Sequence, residues 1–311
     1  MKPDIVLVVP IYAGAVEQLD REYTMHRLWE AKQRAQFLAE AKDRVRAIVT
    51  GPGRVDAELM DALPKTEIIA TQSVGTDHID LAAAKARNIP VTNTPDVLTD
   101  DVADLAMTLL LAVARRIVVG DRHVREGKWL KANLPLATKV GGARLGVVGL
   151  GRIGQAIATR AEAFGLKVVY YGPRAKPDAR YRHYADLVAM AREVDYLVVS
   201  CPGGAATRNL VSAEVLSALG SKGVIVNISR GSVIDEPALV EMLSDGRLGG
   251  AGLDVFVDEP RVPERLFALD NVVLQPHVGS ATHATRGAMG QLVIDNLRAH
   301  FAGKPLLTPV V

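Results

Sequence analysis

The sequence predicts an α/β protein built on two doubly wound parallel sheets, and three observations carry that reading. Short apolar runs alternate with helix-patterned segments as far as about residue 95, the signature of parallel strands joined by helices on both faces. A second set of six apolar runs begins near residue 144. The first run of that set leads straight into Gly149, Gly151 and Gly154, and an alanine-rich helical stretch follows.

In the first set the strands fall at 5–9, 24–28 (a weaker one), 45–50, 68–73 and 91–93, with helices near 15–21, 32–42, 56–62 and 81–87. None of these strands is followed by a glycine fingerprint. Two loops lie at strand C-terminal ends, where open α/β sheets bind ligands: Gly51-Pro52-Gly53 and the stretch from Ser73 to Asp80. In the second loop Gly75 lets the Val74 and Gly75 amides turn toward a small anion; equally, the loop reads as a turn with Asp77 or Asp80 capping the next helix.

Pro95 opens a boundary. Thr99, Asp100 and Asp101 begin a helix expected over 102–118, so apolar that it must be buried between domains or against a partner subunit. Residues 120–140, with Trp129, read as an irregular arm that reaches a second subunit. The six later strands are expected at 145–148, 167–171, 196–200, 224–228, 252–255 and 272–274. A last helix over 286–301 is expected to return to the first domain.

Each fingerprint glycine has a separate physical task. Gly149 makes the tight turn, Gly151 admits a pyrophosphate close to backbone, and Gly154 lets helix pack on strand. The N–H groups around Arg152 and Ile153 then face an anion with the helix dipole behind them. In NAD-binding proteins a carboxylate closes the second strand and takes the ribose hydroxyls. Here that strand ends in Gly172-Pro173-Arg174-Ala175-Lys176, with no acid before Asp178. Gly172 stands where the acid belongs, and Arg174 and Lys176 supply positive charge, which predicts NADP(H).

Three further motifs follow strands of the second set. Asn227-Ile228-Ser229-Arg230-Gly231 puts an arginine at a strand end, residues 252–260 put Asp254 in a strand and Glu259 beyond it, and Gln275-Pro276-His277 puts a histidine past the last strand. Together they set a cation, a carboxylate and an imidazole on the cofactor edge of one sheet, which suits hydride transfer to a 2-oxo acid. Arg230 clamps a carboxylate in a planar fork. His277 donates a proton to the carbonyl oxygen, and Glu259 holds its tautomer and favours its protonated form.

These segments, with Ser73-Val74-Gly75 and the run Pro95 to Ala106, resemble the D-2-hydroxyacid dehydrogenases over nearly the whole chain. Within them the chain is most similar to the glyoxylate/hydroxypyruvate and hydroxyphenylpyruvate reductase branch. The resemblance implies a Rossmann-type nucleotide domain, 98–280, inserted in a flavodoxin-like substrate domain, 1–97 and 281–311, usually as a homodimer. It implies that Arg230 binds and polarises substrate, that His277 is the acid/base and Glu259 its partner, and that the Val74 and Gly75 amides hold the substrate carboxylate. It also implies that Asp254 meets the nicotinamide carboxamide, and that Cys201, Pro202, Thr207, Ile228 and Gly279 line the cofactor. Gly203-Gly204 departs from the Leu-x-Thr of many relatives. The expected activity is NADPH-dependent reduction of glyoxylate and hydroxypyruvate, with aryl or sugar-derived 2-oxo acids (hydroxyphenylpyruvate, 2-ketogluconate) as the alternative.

Composition narrows the classes. The chain has 311 residues, 49% hydrophobic and 23% charged, with a net charge of +2, so it offers no basic field for nucleic acid and enough length for two domains. No apolar run is long enough to span a bilayer. A single cysteine, Cys201, excludes an internal disulfide and points to a reducing, cytoplasmic compartment. It reads as a small pocket-lining residue rather than a nucleophile. His26, His123, His183 and His300 share no metal-ligand spacing, so no metal is expected. His283 and Arg286 are candidates for tuning the substrate pocket. A dinucleotide-sensing corepressor is the rival of a different class, but such proteins add tails that are not expected here. A phosphoglycerate dehydrogenase would likewise need a regulatory domain after residue 311.

Overall fold

The computed structural model describes residues 2–311 and divides into two compact units. The first runs up to Leu98 and takes in Ser280–Val311; the second is Thr99–Gly279.

The first unit alternates β1 (Asp4–Leu7), α1 (Ala13–Glu22), β2 (Thr24–Arg27), α2 (Arg34–Ala41), β3 (Val45–Thr50), α3 (Ala57–Ala62), β4 (Ile68–Thr71), α4 (Leu81–Ala86) and β5 (Val91–Thr92). Its sheet is parallel throughout, in the order β2-β1-β3-β4-β5, a doubly wound arrangement of the flavodoxin type. Successive side chains of a strand point to opposite faces, and here both faces are buried. Val6, Ile48, Ile69 and Val91 pack with Leu59 and Met60 of α3 and Ala84 of α4. Ile5, Leu7, Val49 and Ile68 pack with Ala15 and Leu19 of α1 and with Val293, Ile294 and Leu297. These last three come from the C-terminal part of the chain. Each contributes roughly 1.5–3 kcal/mol on burial, more than any one surface ion pair, and that returns the last helix to this unit.

The second unit holds α5 (Thr99–Ala114), α6 (Ile117–Arg125), β6 (Arg144–Val148), α7 (Arg152–Ala163), β7 (Lys167–Tyr171), β8 (Arg182–Tyr184), α8 (Leu187–Glu193), β9 (Tyr196–Val199), α9 (Ala213–Leu219), β10 (Val224–Asn227), α10 (Glu236–Ser244), β11 (Gly250–Leu253) and β12 (Val272–Leu274); α11 (His283–Phe301) then belongs to the first unit. Its parallel sheet runs β12-β11-β10-β9-β6-β7-β8. Strand order therefore reverses between β6 and β9, and the crevice at such a switch point is where dinucleotides bind.

Four expectations need correction. The sheet has seven strands, not six: β8 is only Arg182-His183-Tyr184, too short and too polar to show as an apolar run. The helix expected over 102–118 is two helices, because Arg116 adopts a left-handed conformation (φ 54°, ψ 39°) that ends α5 and starts α6. Much of α5 is already buried against β10, β11 and α7 of its own unit, so its apolar composition does not by itself call for a second domain or subunit. Part of the supposed irregular arm is α6, and Trp129 (65% exposed), Leu130 (93%) and Leu136 (99%) lie open beyond it.

Candidate active site

Every strand of the second sheet is parallel, so all of its C-terminal ends lie along one edge. Gly149 follows β6, Gly172 follows β7, Cys201 follows β9, Arg230 follows β10, Asp254 follows β11 and His277 follows β12.

The glycine turn separates two physical demands. A Cβ on Gly149, where φ is +94°, would meet Cys201 Cα at 2.7 Å, and one on Gly154 would meet the Gly149 carbonyl oxygen at 2.1 Å. Those two glycines are required by the protein's own backbone. A Cβ on Gly151 would meet nothing within 4 Å, so packing does not explain that glycine, whereas the close approach of a phosphate does. No side chain caps α7, although Asp or Ser side chains cap α8, α9 and α10. An anion facing the Arg152 and Ile153 end of the helix fits that geometry. Ser200 closes the floor by donating to the Gly149 carbonyl at 2.7 Å.

Arg230 sits on a turn tied down by Asn227, a buried residue. The Asn227 amide donates to the Arg230 carbonyl at 2.9 Å and its oxygen accepts from the Ser229 N–H at 3.0 Å. The Ser229 hydroxyl donates to the Cys201 carbonyl, joining this turn to the one after β9. Gly203 lies against the arginine stem: a Cβ there would stand 2.6 Å from Arg230 Cγ. The departure from Leu-x-Thr therefore has a physical counterpart, since a side chain at 203 would displace Arg230. Thr207 folds back to donate to the Pro202 carbonyl at 2.7 Å. Ile228 and Cys201 are buried, and burial pushes the Cys201 thiol up to about 11, which keeps it protonated and not nucleophilic.

The imidazole is placed by a carboxylate that the sequence reading had put inside a strand. Asp254 instead lies just past β11, 1% exposed. Its two oxygens accept from the Val278 and Gly279 amides at 2.7 and 2.9 Å, and its carbonyl accepts from the His277 N–H at 2.9 Å. Burial pushes its carboxyl up, against the pull of those two amides. The loop so formed holds His277 at a left-handed φ of 55°. His277 Nδ1 lies 2.7 Å from Glu259 Oε2, while Glu259 Oε1 accepts from the Phe256 N–H at 3.0 Å. A carboxylate only accepts, so Nδ1 carries the proton and Nε2 is the nitrogen left to face a ligand. Burial pulls the Glu259 carboxyl upward, but the His277 and Phe256 hydrogen bonds and the positive charges of His277 and Arg230 outweigh it and hold the carboxyl below its usual range.

Gly172, Arg174 and Lys176 follow β7, with both cationic side chains exposed. Val74 and Gly75 lie in the first unit, on a loop held by the Asn93 amide donating to the Val74 carbonyl at 2.9 Å. The same loop ends in a helix cap, Asp80 accepting from the Ala83 N–H at 2.8 Å. His283 and Arg286 open α11 in that unit, the first against the Tyr12 ring and the second with its carbonyl accepting from Gln72. Two residues not assigned a role from the sequence, Asn227 and Gly203, shape the Arg230 turn. Asn227 stood in the strand-end motif and Gly203 in the departure from Leu-x-Thr, but neither pattern shows the contact with Arg230.

Residues 107–279 match the family described as D-isomer specific 2-hydroxyacid dehydrogenase, NAD binding domain. The chain belongs to that family. It is 50% identical over 308 residues to the hydroxyphenylpyruvate reductase of Plectranthus scutellarioides, covering 99% of this chain and 98% of that one. It is 44% identical over 311 residues to the 2-ketogluconate reductase of Gluconobacter oxydans, covering 100% and 99%. Among solved structures it resembles the NADPH-dependent glyoxylate/hydroxypyruvate reductase of Sinorhizobium meliloti in complex with NADP and malonate, with a TM-score of 0.95, 44% identity and coverage of 100% and 97%. Like its relatives, this dehydrogenase-family chain carries the NAD-binding domain, and no helix among its described residues is long and apolar enough to cross a membrane.

Proposed function

We propose that the protein reduces small 2-oxo acids, glyoxylate and hydroxypyruvate first, to D-2-hydroxy acids with NADPH. The observation that carries this reading is the His277–Glu259 pair at 2.7 Å, on the same sheet edge as Arg230 and the glycine turn. A bound nicotinamide cofactor supplies the hydride. Arg230 holds the substrate carboxylate and polarises the carbonyl. His277 Nε2 gives a proton to the carbonyl oxygen, and Glu259 keeps the imidazole oriented. The Val74 and Gly75 amides are assigned to the same carboxylate, and Asp254, Cys201, Pro202, Thr207, Ile228 and Gly279 to the cofactor, on the family resemblance. A panel of glyoxylate, hydroxypyruvate, hydroxyphenylpyruvate and 2-ketogluconate, compared by kcat/KM with NADPH, tests the substrate. The identities to a hydroxyphenylpyruvate and a 2-ketogluconate reductase favour aryl or sugar-derived acids as the second reading, and a panel led by either would replace the first.

The coenzyme preference rests on Gly172, Arg174 and Lys176. Each charge-assisted contact to a 2′-phosphate is worth roughly 1.5–3 kcal/mol, so Arg174→Ala should cost about 10- to 100-fold in kcat/KM with NADPH and little with NADH. A wild-type enzyme that prefers NADH overturns the assignment.

The pH profile follows from the pair. Reduction needs Glu259 ionised and His277 protonated. Because the Glu259 carboxyl is held below its usual range, falling pH leaves it charged until below that range, and kcat/KM then drops. Glu259→Gln removes the carboxyl that titrates on the acid side, so the acid limb should disappear; a limb that stays in place means Glu259 is not the functional partner.

A homodimer is proposed through α6 and the segment after it, where Ile117, Val124, Trp129 and Leu130 are exposed. Sedimentation at micromolar concentration should give twice 33.3 kDa, and a monomer counts against it. The single cysteine agrees with a cytoplasmic location.

A further inference from the structure

The loop that carries Arg174 and Lys176 is fastened at both ends by two ring side chains of neighbouring strands. The Lys176 N–H donates to the Tyr170 hydroxyl at 2.7 Å. The His183 Nε2 lies 2.9 Å from the Gly172 carbonyl oxygen, and because a carbonyl only accepts, that nitrogen is the donor. Tyr170 and His183 are direct partners in the β7–β8 register, with ring centroids 5.1 Å apart. Tyr170 is 1% exposed and inverse to the loop it holds, whose cationic side chains stand in solvent. Exposed charges on a mobile backbone are worth little, because ordering them costs entropy. Fixing the backbone beforehand removes part of that cost.

We propose that Tyr170 and His183 are positioning residues that set selectivity for an adenosine 2′-phosphate by fastening the Gly172–Lys176 loop. The proposal rests on the NADPH reading above, and it assigns a purpose to β8: its three residues bring His183 to the Gly172 carbonyl. The tyrosine hydroxyl and the histidine donor touch only backbone, so they act through the loop and not on the ligand. A ligand without the 2′-phosphate makes no use of Arg174 or Lys176 and is indifferent to the fastening.

The test uses the full-length protein and calorimetric binding of 2′,5′-ADP and 5′-AMP, which needs no turnover. Tyr170→Phe keeps the buried ring and removes the acceptor; His183→Leu removes the donor. Each should raise the Kd for 2′,5′-ADP by roughly three- to ten-fold, the ratio one net hydrogen bond supports, and leave that for 5′-AMP unchanged. His183→Gln, whose amide N–H reaches the same carbonyl, should recover most of the loss. Equal weakening of both ligands, or no change in either, overturns the proposal and leaves the pair a sheet contact. Wild-type protein that binds the two ligands equally overturns the NADPH reading itself, and this inference with it. If Arg174→Ala abolishes the preference while both ring variants keep it, only this inference fails.

Discussion

Replacing His277 with asparagine should lower kcat for glyoxylate reduction by roughly 10²–10⁴-fold, the contribution of a positioned proton donor. Asparagine is the informative substitution here. His277 occupies a left-handed backbone conformation at φ 55°, which asparagine tolerates better than most residues. Its amide N–H also lies close to where Nδ1–H meets Glu259, so the loop built on Asp254 should persist. What disappears is the titratable group at Nε2. KM should change far less than kcat, because Arg230 and its turn are untouched. A variant that keeps near wild-type kcat would remove His277 from the chemistry.

Arg230→Ala should reduce kcat/KM for glyoxylate by about 10²–10⁴-fold, since a guanidinium fork makes two charge-assisted bonds of roughly 1.5–3 kcal/mol each. Arg230→Lys should recover little of this. An ammonium is a point donor and cannot make the planar two-bond contact, and the arginine stem is already directed by its contact with Gly203. Full recovery by lysine would show that Arg230 supplies charge alone. Steady-state kinetics with both variants, with thermal melting as a check on folding, separates these outcomes.

Both predictions concern residues legible in the sequence, and the reason lies in where strands end. In a parallel sheet every strand points the same way, so whatever follows each strand collects on one edge. Reading the apolar runs correctly was therefore enough to bring Gly149, Arg230 and His277 to one side. Other features carry no such local signal. β8 escaped because two of its three residues, Arg182 and His183, are polar, and edge strands need no apolar run. The break at Arg116 carries no glycine or proline to announce it. Asp254 was placed one residue inside a strand, which concealed its part in folding the His277 loop.

From the sequence alone came the two-sheet class, the phosphate-type turn, the missing acid after β7 and the three strand-end motifs, because periodicity and local spacing follow from short-range sterics and burial. Only the tertiary structure decided that α5 is covered by its own unit, that Asp254 accepts from amides 24 and 25 residues away, that Gly203 gives room to Arg230, and that Tyr170 and His183 fasten the loop after β7. Most of those contacts join segments well apart in the chain, and those of Tyr170 and His183, though they span only 6 and 11 residues, need β7 paired with β8: none exists until the sheet has formed and brought its strand ends within hydrogen-bonding distance.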